Sequence, residues 1–350
     1  MRVLITGHRG YVGSVLVGVL RHQRFEVSGL DCDLYQSCDF GRVQESVPSF
    51  EIDVRDVEFT DLLSFDAVVH LAALPEGLSE PFDHRLIDEV NATATIRLAE
   101  CCRRAQVPRF VFASTCSIYG RGGGNLLTEQ SMPMPTSAYA ASKLRCEREL
   151  IGMAGDDFTP ILLRFGTAYG VSPRLRLDLC LNDFTAAAVT SGRVSPHTSG
   201  RAWRPIVHVE DIARAIAAVL IAPDEQVRGE VFNIVDTQQN HRVIEIADLV
   251  AEEVPNCVRG PATQTSDERS YRVDGSKFAE RFPDFRFRWT PSLGVRQVRS
   301  AFMSGGLTPA DWRGDRFRRV PRLQSLVADG LLDSQLRKPT LADSHFACST

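Results

Sequence analysis

Tyr139 and Lys143 stand four residues apart in the run Tyr139-Ala140-Ala141-Ser142-Lys143. On a helix that spacing puts both side chains on one face, one turn apart. An ammonium beside a phenol stabilises the phenolate and draws the phenol pKa down from about 10. A phenolate so placed is a base for the proton of a substrate hydroxyl as hydride leaves the hydroxyl's carbon. Ser114 and Thr115 lie upstream, at the end of the apolar run 109–114. Hydroxyls at the C-terminal end of a strand face the ligand crevice of an open α/β sheet. The chain has three lysines against 37 arginines, so a lysine at a motif position carries unusual weight.

Near the start, Thr6-Gly7-His8-Arg9-Gly10-Tyr11-Val12-Gly13 spaces three glycines as G-x-x-G-x-x-G. The turn lies between an apolar run at 3–5 and a helical pattern at 11–20. Gly7 allows a tight turn, Gly10 a close backbone approach to a pyrophosphate, and Gly13 close packing of helix on strand. Arg9, Tyr11 and Val12 fill the turn, whose helix N-terminus favours an anion. A second apolar run, 26–30, ends at Asp31, 18 residues beyond Gly13. A carboxylate there accepts from the adenosine ribose hydroxyls and repels a 2′-phosphate, so the expected cofactor is NAD rather than NADP. Asp53 and Val54 suit contact with the adenine edge.

Apolar runs at 3–5, 26–30, 51–54, 66–71, 109–114 and 160–165 alternate with helical patterns at 11–20, 91–104 and 139–150. Runs without polar alternation fit strands covered on both faces. The alternation predicts an α/β fold with a Rossmann-type doubly wound parallel sheet. The later chain is expected to hold helices at 182–191, 211–222 and 244–254 and strands at 207–209 and 229–234, and to form in part a smaller mixed α/β C-terminal substrate domain. The expected division gives 1–170 and a crossover at 206–238 to the cofactor domain. It gives 171–205 and 239–332 to the substrate domain, and leaves 333–350 as a polar tail.

Charged residues make up 24% of the 350 and hydrophobic ones 43%, which excludes disordered, collagen-like and coiled-coil chains. The net charge of −4 speaks for no nucleic-acid partner. No apolar run reaches about 18 residues, so no membrane span is expected. The opening residues lack the pattern of a secretory signal, and a cytoplasmic location is expected. Nine cysteines without framework spacing read as reduced thiols, with neither disulfides nor a metal site.

Together the motifs resemble the extended short-chain dehydrogenase/reductase family, in its NAD-dependent nucleotide-sugar epimerase/dehydratase branch (UDP-glucose 4-epimerase-like). Besides the glycine turn and Tyr139–Lys143, the resemblance rests on His70-Leu71-Ala72-Ala73, on Asn91 with Thr95, and on Ser114-Thr115-Cys116-Ser117-Ile118-Tyr119-Gly120. It rests also on Arg164 with Tyr169-Gly170, and on Arg204 with His208 and Asp211. The resemblance implies that Tyr139 is the base and that Lys143 is its partner and a ligand of the nicotinamide ribose. It implies that Thr115 meets the reacting sugar hydroxyl, and that Leu71, Ala72, Ala73, Ser114 and Phe165 lie beside the cofactor. Cys116, Ser117, Asn182, Arg204 and Arg269 would contact a nucleotide-diphosphate sugar, guanidinium being suited to phosphate oxygens. A homodimer, paired through the helices at 91–104 and 139–150, is the assembly implied.

Branches of this family begin by oxidising a sugar hydroxyl and differ afterwards. A 4,6-dehydratase carries Asp-Glu directly after the active-site threonine, whereas this chain has Cys116-Ser117. The expectation is therefore C4 epimerisation, with transient oxidation, hydride return and no net redox change. A dehydratase or a dehydrogenase/reductase is the alternative, with the Cys116 thiol as an acid or base. A non-catalytic NAD-binding regulator is a further one.

Overall fold

The structure is a computed structural model describing residues 1–41, 46–78, 82–196, 199–262 and 269–339. Its strands are β1 (Arg2–Thr6), β2 (Glu26–Leu30), β3 (Ser49–Phe50), β4 (Ala67–His70), β5 (Arg109–Thr115), β6 (Arg121–Leu127) and β7 (Thr159–Phe165). They continue as β8 (Thr167–Tyr169), β9 (Arg193–Val194), β10 (Trp203–His208), β11 (Val231–Ile234), β12 (Asn240–Arg242), β13 (Val258–Arg259) and β14 (Ser270–Val273). The α-helices are α1 (Tyr11–His22), α2 (His84–Asp88), α3 (Ala94–Arg104), α4 (Ala138–Gly152), α5 (Cys180–Ser191) and α6 (Val209–Ile221). After them come α7 (Asp224–Val227), α8 (Val243–Glu253), α9 (Ser276–Arg281), α10 (Pro291–Ser304), α11 (Pro309–Arg313) and α12 (Arg319–Ala328).

Seven parallel strands form one sheet in the order β11-β7-β5-β4-β1-β2-β3. The strand order reverses between β1 and β4, the place where open α/β sheets hold ligands. Successive side chains alternate faces. Leu4, Val68, Phe110, Phe112 and Leu162 pack with Leu98 and Cys102 of α3 and Cys146 and Leu150 of α4. Val3, Ile5, Val69, Val111 and Ile161 pack on the opposite face with Leu16 and Leu20 of α1 and Ile212 and Ile216 of α6. Both faces are dry, which is why these strands read as unbroken apolar runs.

The third strand is displaced from its expected place at 51–54. β3 covers Ser49–Phe50, and Asp53 instead caps a 3-10 turn over Val54–Asp56, accepting from Arg55 N. A short carboxylate that bonds its own backbone competes with the strand ladder. β6 has no sequence signal: Arg121-Gly122-Gly123-Gly124-Asn125 reads as loop, and parallel pairing with β14 makes it a strand. β12, β10 and β8 make a second small sheet, and β13 pairs with β9. Tyr169, Phe184, Val250, Phe302 and Phe317 centre the core of this second domain, among α5, α8 and α10.

The end of the chain returns to the first domain. Leu323, Leu326, Leu332 and Leu336 share a buried cluster with Leu4, Leu30 and Val54. The expected boundary at 332 therefore falls within a segment packed on the large sheet. The start of the expected tail is anchored there too, with Leu336 buried and Arg337 ion-paired to Asp56. Residues 340–350 of that tail lie outside the described residues. Among the described residues no helix is long and apolar enough to cross a membrane, and no cluster of metal-ligating side chains occurs.

Candidate active site

The glycine turn joins β1 to α1. Gly7 has φ +74°, and a Cβ there would lie 2.7 Å from Ala72 N. A Cβ on Gly13 would stand 2.2 Å from Gly7 O. Any side chain at either place would collide with neighbouring backbone, and the N-terminus of α1 carries no side-chain cap. That bare helix N-terminus fits a diphosphate. Thr6 and Thr95 hold His70 between them, at 2.7 Å on Nδ1 and 2.8 Å on Nε2. The Thr95 hydroxyl donates to Asn91 O, so His70 donates from Nε2 and accepts at Nδ1. Burial, aided by the Lys143 charge, pulls His70 down to about 3, so the ring is neutral. Asn91 clamps the main chain after β4, accepting from Leu74 N at 2.7 Å and donating to Leu74 O at 3.1 Å. His70 and Asn91 thus fix the strand end and the loop that carry Leu71, Ala72 and Ala73.

Asp31, at the end of β2, accepts from Arg9 N at 2.9 Å and Asp33 N at 2.8 Å, and burial raises its pKa. The Arg9 guanidinium, which could have served a 2′-phosphate, is engaged by Asp33 at 3.1 Å and Ser49 at 3.3 Å. Asp53 is held by Arg55 through a fork at 2.7 and 3.0 Å. Gly7, Arg9, Gly10, Asp31, Asp53, Val54, Leu71, Ala72 and Ala73 line one pocket. Tyr35, Leu71 and Ala73 also line the adjoining cleft, so the two run together.

That cleft has a volume of about 280 Å³, and Thr115, Ser117, Tyr139 and Lys143 meet there with Gly10, Tyr11, Val12, Gly13, Ser114 and Phe165. α4 delivers the pair from the sequence motif. Ser137 caps it, accepting from Ala140 N at 3.2 Å while donating to Glu76 at 2.9 Å. A buried network sets α4 against the sheet: Arg164 donates to Glu147 at 2.9 and 2.6 Å, and Ser114 donates to the same carboxylate at 2.5 Å. Lys143 is buried, with Nζ 4.7 Å from the Phe112 ring centroid and 5.9 Å from that of Tyr139. It has no carboxylate within ion-pair distance among the described residues, and burial pulls it down to about 8. Tyr139 moves the other way: burial first, then the Glu76 charge, raises its hydroxyl above the ordinary phenol range, against the pull of Thr115. The lowered phenol pKa expected from Lys143 is thus outweighed by desolvation.

Other expected site residues stand behind the cleft wall. Cys116 is buried, its thiol donating to Arg164 O at 3.3 Å, and burial pushes its pKa up. Asn182 is buried and engaged by Gly170 N at 3.0 Å, Arg176 O at 3.1 Å and Tyr11 Oη at 3.2 Å. Arg204 donates to the carbonyls of Trp203 and Arg269, and Arg269 pairs with Glu76. Among the cleft-lining residues that the motifs do not mark are Tyr35, Glu76, Arg176 and Arg319. Among 37 arginines no local pattern singles out two, and Arg319 reaches the cleft only because α12 folds back.

The NAD dependent epimerase/dehydratase family matches residues 3–235. A Bacillus subtilis (strain 168) protein named as an uncharacterized UDP-glucose epimerase, YtcB, is 30% identical over 266 residues, covering 72% of this chain and 82% of its own. MoeE5, solved with UDP-glucuronic acid and NAD, superposes with TM-score 0.74 at 28% identity, over 87% of this chain and 99% of its own. The UDP-glucose 4-epimerase of Thermus thermophilus, solved with NAD, gives TM-score 0.70 at 26% identity, over the same 87% and 99%. The match spans the glycine turn, the Tyr139–Lys143 helix and the whole of the large sheet, and this chain belongs to the NAD dependent epimerase/dehydratase family.

Proposed function

We propose that the protein is a nucleotide-sugar 4-epimerase. The observation that carries the reading is the composition of the reacting end of the cleft: Thr115, Ser117, Tyr139 and Lys143 face it, while the Cys116 thiol is turned away onto Arg164 O. NAD, when bound along the glycine turn, supplies a hydride acceptor and donor. Tyr139 takes the proton of a sugar hydroxyl and later returns it. Thr115 orients that hydroxyl, and the ammonium of Lys143 favours the phenolate. Hydride returned from the bound cofactor to the opposite face would invert the carbon with no net redox change. UDP-glucose is the first substrate to test, given its place in the names and complexes of the relatives. A homodimer paired through α3 and α4 is the proposed assembly, and sedimentation of a species of twice 38.8 kDa is the expected result.

One observation favours elimination as a second reading. Glu76 brings a carboxylate to the cleft from the loop after β4, near enough to raise the Tyr139 pKa. Its oxygens are engaged by Ser137 at 2.9 Å, Ser117 at 3.4 Å and Arg269, an arrangement that suits a polar wall better than a mobile proton donor. The deciding measurement is NMR of the sugar after turnover in deuterium oxide. Epimerisation at C4 leaves the ring carbons unlabelled, whereas deuterium at C5 or C6 with loss of water supports elimination and rejects the 4-epimerase. Tyr139→Phe is expected to fold, to keep NAD and to lose about 10²–10⁴ in turnover.

A further inference from the structure

Part of the cleft wall carries more positive charge than the protein itself neutralises. Arg319, the first residue of α12, is 3% exposed. Its guanidinium lies 4.3 Å from the Tyr35 ring centroid, and one nitrogen donates to Arg174 O at 3.2 Å. Its other terminal nitrogen is buried with no acceptor among the described residues, and the buried Tyr35 hydroxyl likewise has no partner among them. Arg176 stands nearby with a forked bond to Asp178, both contacts at 3.1 Å. Arg319 has no carboxylate within ion-pair distance among the described residues, so one acid serves two guanidinium groups. Burial and the Arg176 charge lower the Arg319 pKa, as expected of a cation short of a partner.

All three side chains line the cleft that also holds Gly10, Tyr11, Val12 and Gly13. A buried guanidinium with an idle donor is strongly disfavoured unless an anion completes it. We propose that Tyr35, Arg176 and Arg319 form a receptacle for a diphosphate group, which the idle donors of Tyr35 and Arg319 complete. A neutral sugar ring would leave the charge uncompensated. A diphosphate offers oxygens to both guanidinium forks and to the hydroxyl at once. The dinucleotide and the nucleotide sugar both carry that group. The inference rests on the chemistry of the family and is independent of which reaction follows.

Calorimetric titration of NAD and, separately, of UDP into the full chain tests it. Arg319→Met is expected to weaken one of the two by about 10- to 100-fold, the worth of one or two charge-assisted hydrogen bonds. Loss confined to NAD assigns the receptacle to the dinucleotide, and loss confined to UDP assigns it to the nucleotide sugar. The variant's melting temperature without ligand should equal or exceed the wild type, because an uncompensated charge has gone. Unchanged affinity for both ligands overturns the receptacle and leaves the epimerase reading standing. Should Arg319→Met fail to fold, Tyr35→Phe decides: it removes one buried oxygen, and weakening of NAD or UDP by several-fold supports the proposal, whereas no change in either rejects it.

Discussion

Lys143 shows what desolvation does to a charged group in the cleft. Among three lysines it is the one buried in the cleft, and its surroundings are rings rather than carboxylates. Its folded pKa of about 8 lies below its ordinary 10.5. The folded state therefore favours the neutral amine. The destabilisation is complete below the folded value and fades as pH rises towards the ordinary one, and its full size is about 3 kcal/mol. Lys143→Met is thus expected to raise the melting temperature of the cofactor-free protein near about pH 7, and to raise it less near about pH 9.5, while turnover collapses. Thermal unfolding at the two pH values checks the sign. A midpoint that falls at the lower pH would mean that the ammonium has a partner the burial argument lacks. Asp31 and Arg9 make a related point about selectivity. The arginine beside the carboxylate expected to meet the ribose is tied down by Asp33 and Ser49, so it is not presented to a 2′-phosphate.

Elements bring these groups to one place, and the bonds between elements are made by residues that do no chemistry. α4 is set by the Ser137 cap and by the Glu147–Arg164 fork to β7. The loop after β4 is set by Asn91, which stands in the π-helical turn Glu89–Thr93 just before α3. That widened turn lets one side chain satisfy both backbone groups of Leu74. Asn91→Ala leaves a buried N–H and a buried C=O without their partner. The expected cost is about 1–3 kcal/mol in denaturant unfolding. A weakened affinity for NAD should accompany it, because residues 71–74 line the pocket expected to hold the cofactor. Loss of stability with NAD affinity intact would show that the loop holds its course without the clamp.

For the molecule as a whole, the return of the C-terminal segment matters most. Four leucines from 323 to 336 lie in the core of the large sheet. Each contributes about 1.5–3 kcal/mol on burial, and their sum rivals the whole stability of a typical domain, about 5–15 kcal/mol. A chain ending after Arg318 is expected not to accumulate in folded form. A circular dichroism melt of that truncation beside the full protein decides it. A folded, NAD-binding chain ending after Arg318 would show that α12 only rests on the domain.

The parallel sheet, the glycine turn, Asp31 and the Tyr139–Lys143 pair were legible in the sequence because each depends on local spacing. Apolar runs mark strands dry on both faces, a glycine marks a place where a Cβ would collide, and a four-residue interval marks one helix face. The collision at Gly13 is with Gly7 and His8, near neighbours along the chain. What the spacing could not carry was direction and distance across the chain. Cys116 follows Thr115 immediately, yet a 3-10 turn sends the thiol into the core and leaves Ser117 at the cleft. Arg204, Arg269 and Asn182 match motif positions, but tertiary packing spends their polar atoms on protein partners. Glu76 and Arg319 sit in stretches without a motif and come to the cleft through a loop and a returning helix. Desolvation, which set the pKa shifts of Tyr139 and Lys143, is a property of everything packed around a group, and only the folded chain decides it.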